Sequence, residues 1–160
     1  MGGAARITPV RIVLQRVTSA LVRVDDRVVG RIGRGLCLFV GVEHGDGYGD
    51  VDTAVDKIAG LRVFNDDAEK MNLPLVDVDG QVLVVSQFTL AGDVKRGRRP
   101  SFTDAARPEH AGPLIDRMIH SFRERDIVTA HGVFGAMMAV ELTNDGPVTL
   151  VLEVTDGVVG

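Results

Sequence analysis

The sequence predicts a single α+β domain whose sheet is mostly antiparallel and barrel-like, with two main helices. Three observations carry this expectation. The apolar runs are short and rich in Val, a β-branched residue that packs well on a pleated surface. Only two stretches place apolar residues at helical spacing. Strand-like and helix-like segments alternate irregularly, without the repeated βαβ units of a doubly wound fold and without an internal repeat. A chain of 160 residues with 45% hydrophobic and 25% charged residues suits one core, and 4% aromatics with no Trp make that core aliphatic.

Residues 1 to 9 carry no period and read as a loose leader. The domain is expected over residues 10 to 155, with 156 to 160 as a C-terminal tail. Val10 to Val17 reads as the first strand, and Ala20 to Val24 with Arg27 to Ile32 form a hairpin about Asp25-Asp26. Gly33-Arg34-Gly35 turns into Leu36 to Val42, a near-continuous apolar run that belongs at the centre of the sheet. Val51, Ala54, Val55, Ile58 and Leu61 define the first helix, with Asp50 and Asp52 at its positive end. Arg62 to Phe64 returns to strand, Asn65-Asp66-Asp67 turns, and Asp79-Gly80 leads into the buried strand Gln81 to Val85. Leu114, Ile115, Met118, Ile119 and Phe122 form the stripe of a second helix that starts near Pro113, where a proline is tolerated in the first turn. Met138 to Leu142 and Val148 to Val154, separated by a turn at Asn144-Asp145-Gly146-Pro147, predict a closing hairpin.

Much chemistry is missing. Cys37 sits in an apolar run and reads as a small core residue rather than a nucleophile, and one cysteine excludes an internal disulfide. The four histidines are scattered without metal-ligand spacing, so neither a metal nor a cofactor is expected. No nucleophile elbow, P-loop or dinucleotide fingerprint is present. A net charge of −4 argues against a broad basic groove for duplex nucleic acid, while Lys95-Arg96-Gly97-Arg98-Arg99 is a local cluster that reads either as a solvated loop or as a grip on phosphates. No leader peptide, lipidation signal or long apolar span is read, so a soluble cytoplasmic protein is expected. The Ser86 and Thr89 hydroxyls are either structural groups at a strand end or nucleophiles that need a base from elsewhere.

Six segments, in order and over about Val10 to Leu152, resemble the D-aminoacyl-tRNA deacylase family. They are Gln15-Arg16-Val17, Gly41-Val42-Glu43, Lys70-Met71-Asn72-Leu73, Val84 to Leu90, Gly97 to Ala106, and Asn144-Asp145-Gly146-Pro147-Val148-Thr149. One stretch departs: the family usually reads Gly-Arg-Phe-Gly-Ala-Asp-Met-Gln-Val where this chain has Gly132 to Val140, so Val133, Met137 and Ala139 replace three polar residues while Met138 is kept.

The resemblance implies hydrolysis of the ester between a D-amino acid and the terminal ribose of tRNA, at a pocket built across a homodimer interface. It implies that Gly146-Pro147, joined by a cis peptide bond, presents two carbonyls to the partner's pocket as a wall against L-amino acids, with glycine left unrejected for want of a Cβ on either side. Arg16 then holds that turn, while Met138, Pro100, Ser101 and Phe102 contact substrate. The Ser86-Gln87-Phe88-Thr89 segment is the catalytic stretch: the Phe88 N–H stabilises an oxyanion and the ribose 2′-hydroxyl handles water, no base being evident beside Thr89. Lys95, Arg96, Arg98 and Arg99 meet phosphates of the acceptor stem. Two rival readings stand beside this one, a non-catalytic homodimeric nucleic-acid-binding module and a hydrolase of another small acyl ester acting through Thr89.

Overall fold

A computed structural model describes residues 9–160, so all but the last residue of the expected leader lies outside the described residues. The architecture is a curled, seven-stranded mixed sheet with two helices on one face. Strand β1 spans Val10–Val24, β2 Arg27–Ile32 and β3 Gly35–Gly41, followed by helix α1 at Tyr48–Gly60. A two-stranded ribbon, β4 at Phe64–Asn65 and β5 at Met71–Leu73, precedes β6 at Gln81–Ser86. Helix α2 covers Pro108–Glu124, then come β7 at Thr129–His131, the 17-residue β8 at Ala139–Thr155, and β9 at Val158–Val159.

The sheet runs β7-β6-β3-β1-β8-β9, with β2 also on β1. The pairings of β1 with β2, β3 and β8, and of β8 with β9, are antiparallel, whereas β3–β6 and β6–β7 are parallel. The sheet is therefore mixed. Its parallel half arises because the chain between β3 and β6 passes through α1, and between β6 and β7 through α2, crossovers that return each strand in the same sense.

The hairpin at Asp25-Asp26 forms as expected, both residues at positive φ (49° and 64°), the conformation a two-residue turn between twisted strands requires. Strand β3 is central and almost wholly buried. Helix α1 begins at Tyr48, and Asp50 reaches back so that its Oδ2 accepts the Gly47 N–H (2.9 Å) while Oδ1 accepts the Gly157 N–H (2.7 Å). Helix α2 starts at Pro108 in the first helical position, not near Pro113; the latter sits inside the helix at the expense of one backbone bond.

Two expectations about long strands are corrected. The segments on either side of Thr18-Ser19 are one strand, β1, and Met138 to Val154 is no hairpin. Both halves of β8 pair with the same partner, Val154 to Thr149 with Val10 to Gln15 and Asn144 to Ala139 with Val17 to Arg23. Between them Arg16 alone faces the four residues Asp145 to Val148, so Gly146-Pro147 is a bulge on a strand that keeps its direction.

Together with a second register shift, between Val17 and Ser19, the irregularity divides β1 between two cores. Val10, Ile12 and Leu14 join Leu38, Ile58 and Phe122 in the layer between sheet and helices. Val17, Ala20 and Val22 join Ile32, Cys37, Leu83 and Val85 inside the curl. Cys37 is fully buried, which pushes its thiol up to about 12 and confirms a packing residue. The curl brings backbones into contact at two glycines. A Cβ on Gly30 would lie 2.4 Å from the His131 carbonyl oxygen, and one on Gly35 would lie 1.8 Å from that of Gln81. Gly35→Ala is expected to destabilise the protein by about 3 kcal/mol or more, since neither strand can yield without breaking the β3–β6 ladder. Gly33→Ala, whose Cβ meets only the tip of the Gln81 side chain at 3.9 Å, is the control; equal urea midpoints for the two variants would refute the clash.

Candidate active site

The site forms where β6 ends. Gln87 donates its backbone N–H to Val40 (2.8 Å), and Phe88–Ala91 wind into a 3₁₀ turn, with Leu90 N–H bonded to Gln87 O (3.2 Å). The first N–H groups of such a turn have no partner inside it, so those of Phe88 and Thr89 remain for a ligand. Beside them lies a cavity of about 860 Å³. Ser86, Gln87, Phe88 and Thr89 line it with Phe102 and Met138, so six of the residues singled out in the sequence meet there. Phe88 stands edge-on to Phe102, ring centroids 5.3 Å apart. Val42, from a segment of the resemblance, and Met137, one of its departures, also line the wall with Phe39, Ala111 and Phe134; the last three are isolated apolar residues whose sequence carries no signal that they line a site.

Among the described residues, no lining side chain titrates. The Thr89 hydroxyl accepts a hydrogen bond from Gln87 Nε2 (3.0 Å), and an amide donor cannot take its proton. The histidines are engaged elsewhere: His44 Nε2 lies 2.9 Å from the Thr103 carbonyl oxygen, His110 Nε2 2.7 Å from that of Asp46 and His131 Nδ1 2.6 Å from that of Gly132, and His120 pairs with Glu124. No group of three or more potential metal ligands occurs among the described residues.

One wall is braced by the loop from β3 to α1. Ala106 N–H bonds to Val42 O (2.9 Å) and His44 N–H to Asp104 O (3.2 Å), which seats Ala105 and Ala106 against the cavity. Within this loop Asp46 is buried, its Oδ2 accepting the Glu43 N–H at 2.6 Å. Burial pushes its carboxyl up to about 7, opposed by that hydrogen bond and reinforced by the nearby Asp50 and Glu43 carboxylates.

Gly146 and Pro147 do not line the cavity. They are exposed on the β8 bulge, joined by a cis peptide bond, with Gly146 at φ +133°. Arg16 lies buried beneath them. Its Nε donates to the Asp145 carbonyl (3.0 Å) and its Nη1 to Val63 O (2.8 Å) and Asn65 Oδ1 (3.1 Å). Arg16 is therefore a core residue rather than a surface side chain. Pro100 and Ser101 also lie outside the cavity lining. Ser101 and Asp93 exchange two backbone hydrogen bonds (2.7 and 2.8 Å) and close the neck of an exposed loop carrying Lys95, Arg96, Arg98 and Arg99, none of them in an ion pair among the described residues. Phe102, next to that neck, connects the basic loop to the cavity wall.

Fold and cleft together define a protein that offers its ligand backbone donors and apolar walls rather than a side-chain base. The profile of the D-Tyr-tRNA(Tyr) deacylase family matches residues 13–153. A D-aminoacyl-tRNA deacylase of Chloroflexus aurantiacus is 57% identical over 143 residues, 89% of either chain, and that of Exiguobacterium sibiricum is 54% identical over 89% of this chain and 99% of its own. Among solved structures, a c-Myc DNA unwinding element binding protein superposes with a TM-score of 0.83 at 37% identity, covering 89% of this chain and 97% of that one. A probable eukaryotic D-amino acid tRNA deacylase shares the fold at a TM-score of 0.77 and 20% identity, over 91% of this chain and 100% of that one. The chain belongs to the D-Tyr-tRNA(Tyr) deacylase family, and so to the hydrolases. Among the described residues no helix is long and apolar enough to cross a membrane.

Because Asp46 binds its proton more tightly when folded, the native state holds more protons than the unfolded chain between pH of about 4 and about 7. Stability contributed by the protonated group is complete below that window and lost as pH rises through it. Asp46→Asn keeps an acceptor for the Glu43 N–H, so it should flatten this part of the profile and gain on the parent toward pH 7 and above. Urea midpoints across the window check this, and an unchanged slope would overturn it.

Proposed function

We propose that the chain hydrolyses the ester joining a D-amino acid to the 3′-terminal ribose of tRNA and releases both, a proofreading step on the cytoplasmic pool of charged tRNA. The observation that carries the reading is the cleft itself: unpartnered N–H groups at Phe88 and Thr89 beside apolar walls without a base. Water adds to the ester carbonyl, and the Phe88 N–H stabilises the oxygen as charge develops on it. The ribose 2′-hydroxyl, adjacent to the scissile bond, positions that water; collapse of the adduct expels the 3′-oxygen, which takes up a proton. Ser86, Gln87 and Thr89 hold the turn and line the cleft.

Chiral selection needs a second copy. Gly146-Pro147 lies on the sheet surface near Leu150 and Val151, apolar residues 41% and 63% exposed, which a partner of the same kind would cover. In such a homodimer the bulge of one protomer enters the cleft of the other, and its carbonyls exclude a Cβ substituent of L configuration by overlap. A fixed backbone wall excludes regardless of side-chain identity, whereas a relaxing side-chain pocket separates close analogues by only about 1 to 3 kcal/mol. Glycyl-tRNA escapes the wall and is hydrolysed as well. Arg16 is the positioning residue that fixes the bulge, Met138 and Phe102 contact substrate, Pro100 and Ser101 shape the loop neck, and Lys95, Arg96, Arg98 and Arg99 bind acceptor-stem phosphates.

A second reading, a non-catalytic nucleic-acid-binding module, draws on the likeness to the DNA unwinding element binding protein and on the basic loop. Hydrolysis separates the two. Purified protein should release D-tyrosine rapidly from D-tyrosyl-tRNA and leave L-tyrosyl-tRNA intact, with selectivity lost when Gly146 or Pro147 is replaced. Binding of tRNA without release from either ester would favour the module. Thr89→Ala and Ser86→Ala should keep kcat within about threefold, far from the 10²-fold or greater losses that removal of a catalytic group brings. A substrate ending in 2′-deoxyadenosine should be slow, and normal turnover of it would refute the role given to the ribose hydroxyl.

A further inference from the structure

Three apolar side chains at the cavity are left exposed by the fold: Phe88 at 57%, Phe134 at 40% and Met137 at 92%. Single exposed apolar groups are ordinary, but these share one cavity rim. Two of them sit on a short, fixed segment. Gly132 N–H is bonded to Val84 O (3.1 Å), and Ala136 N–H to Val133 O (3.1 Å) closes a turn whose third residue, Gly135, has φ +79°. That is the position of such a turn where glycine is favoured, so Phe134 is held out by backbone geometry rather than by lack of structure, and Met137 follows directly on the closed turn. Phe134 packs against the first turns of α2, where a Cβ on Gly112 would lie 3.7 Å from its ring, which fixes the ring's place at the rim.

Resting on the hydrolysis of tRNA esters, we propose that Phe134 and Met137 form a stacking platform for the base of the nucleotide that precedes the terminal adenosine. A single-stranded RNA end needs two things from a protein, cations for its phosphates and flat or polarisable surface for its bases. The cavity lining has no charge to meet a phosphate, but the loop of Lys95, Arg96, Arg98 and Arg99 begins at the residue next to Phe102 in the same wall. A strand leaving the cavity therefore finds phosphate partners beside one wall and apolar surface on the rim. A thioether suits this role, being polarisable and adaptable against a ring.

The test is a cycle of two substrates and three proteins. The substrates are D-tyrosyl-tRNA and the same molecule with an abasic ribose at the penultimate position; the proteins are the parent, Met137→Ser and Met137→Leu. Met137 is almost wholly exposed, so neither change should disturb folding. Removing the base should lower kcat/KM of the parent by about fivefold or more, the lower end of what one stacked base contributes. Met137→Ser should lower it on the intact substrate and have little further effect on the abasic one, while Met137→Leu retains most activity on both. Equal activity of the parent on both substrates would overturn the platform while leaving the hydrolytic reading in place, as would a Met137→Ser loss of the same size on each. A shift of Met137→Ser toward monomer in sedimentation would assign the rim to contact between copies and also overturn it. Absence of hydrolysis of any D-tyrosyl ester by the parent would remove the hydrolytic reading and the platform together.

Discussion

The structure turns on a buried guanidinium placed where a strand ladder breaks. On β1 the single residue Arg16 occupies the space that four residues occupy on β8, and a side chain is needed to fill the gap and satisfy what the missing ladder bonds leave behind. Arg16 does this with three acceptors on two separate elements, the Asp145 carbonyl on the bulge and Val63 O with Asn65 Oδ1 at the ribbon. The Asp145 carboxylate, 3.5 Å from Nε, offsets part of its charge. Lysine could not reproduce this, because a point donor lacks the fork that reaches two elements at once. Removing the group would leave the buried Val63 carbonyl unpaired at about 1 to 3 kcal/mol and free the part-buried Asp145 carbonyl on the bulge. The same group also fixes where the bulge can sit, so the position of Gly146-Pro147 is set from inside the core.

The ladder between β1 and β8 is irregular at a second place, with an effect on packing. A further register shift between Val17 and Ser19 puts Ala20 and Val22 on the same face as Val17, so the residues of β1 that face the helices before Arg16 give way to a set that faces the interior of the curl after it. One continuous strand thus serves two cores. Without that shift, Ala20 and Val22 would not share a face with Val17 and a common interior with Cys37, Leu83 and Val85.

How much of this was legible depends on the range of the interactions concerned. The helical stripes, the central run Leu36 to Val42 and the Asp25-Asp26 turn are local patterns, and each forms as read. The segment Asn144 to Pro147 was misread as the tip of a hairpin because Asp-Gly-Pro has the same local signature whether the chain reverses or bulges; only the pairing of both flanks with β1 decides, and that pairing is invisible in one sequence. The parallel pairings of β6 with β3 and β7 were missed for the same reason. Of the site, Ser86 to Thr89, Phe102 and Met138 came from the resemblance, Met137 was marked only as a departure from it, and Phe39 and Phe134 came from the fold alone. Arg16 is the instructive case: the residues around it are compatible with a surface strand, and its burial follows from a bulge that the sequence conceals.

The proposed chemistry suits a cleft whose described lining has no titratable side chain. A hydrolase that relies on a side-chain base must keep a titratable group solvated or paired, which admits water and makes activity track that group's protonation. Here no titratable side chain lines the cleft among the described residues, and under the proposed function reaction draws on donors that do not titrate and on a hydroxyl that the substrate brings. Such a site discriminates against esters without a neighbouring hydroxyl before any contact with the acyl side chain is made. It also leaves the acyl group free to vary, since no catalytic residue has to be aligned against it. Under this reading the two parts of recognition are physically separate: chemistry belongs to the strand end at β6, and handedness to a strand bulge on another copy. A sequence change in either can then alter rate or selectivity alone, provided Arg16 still holds the bulge where the second copy meets it.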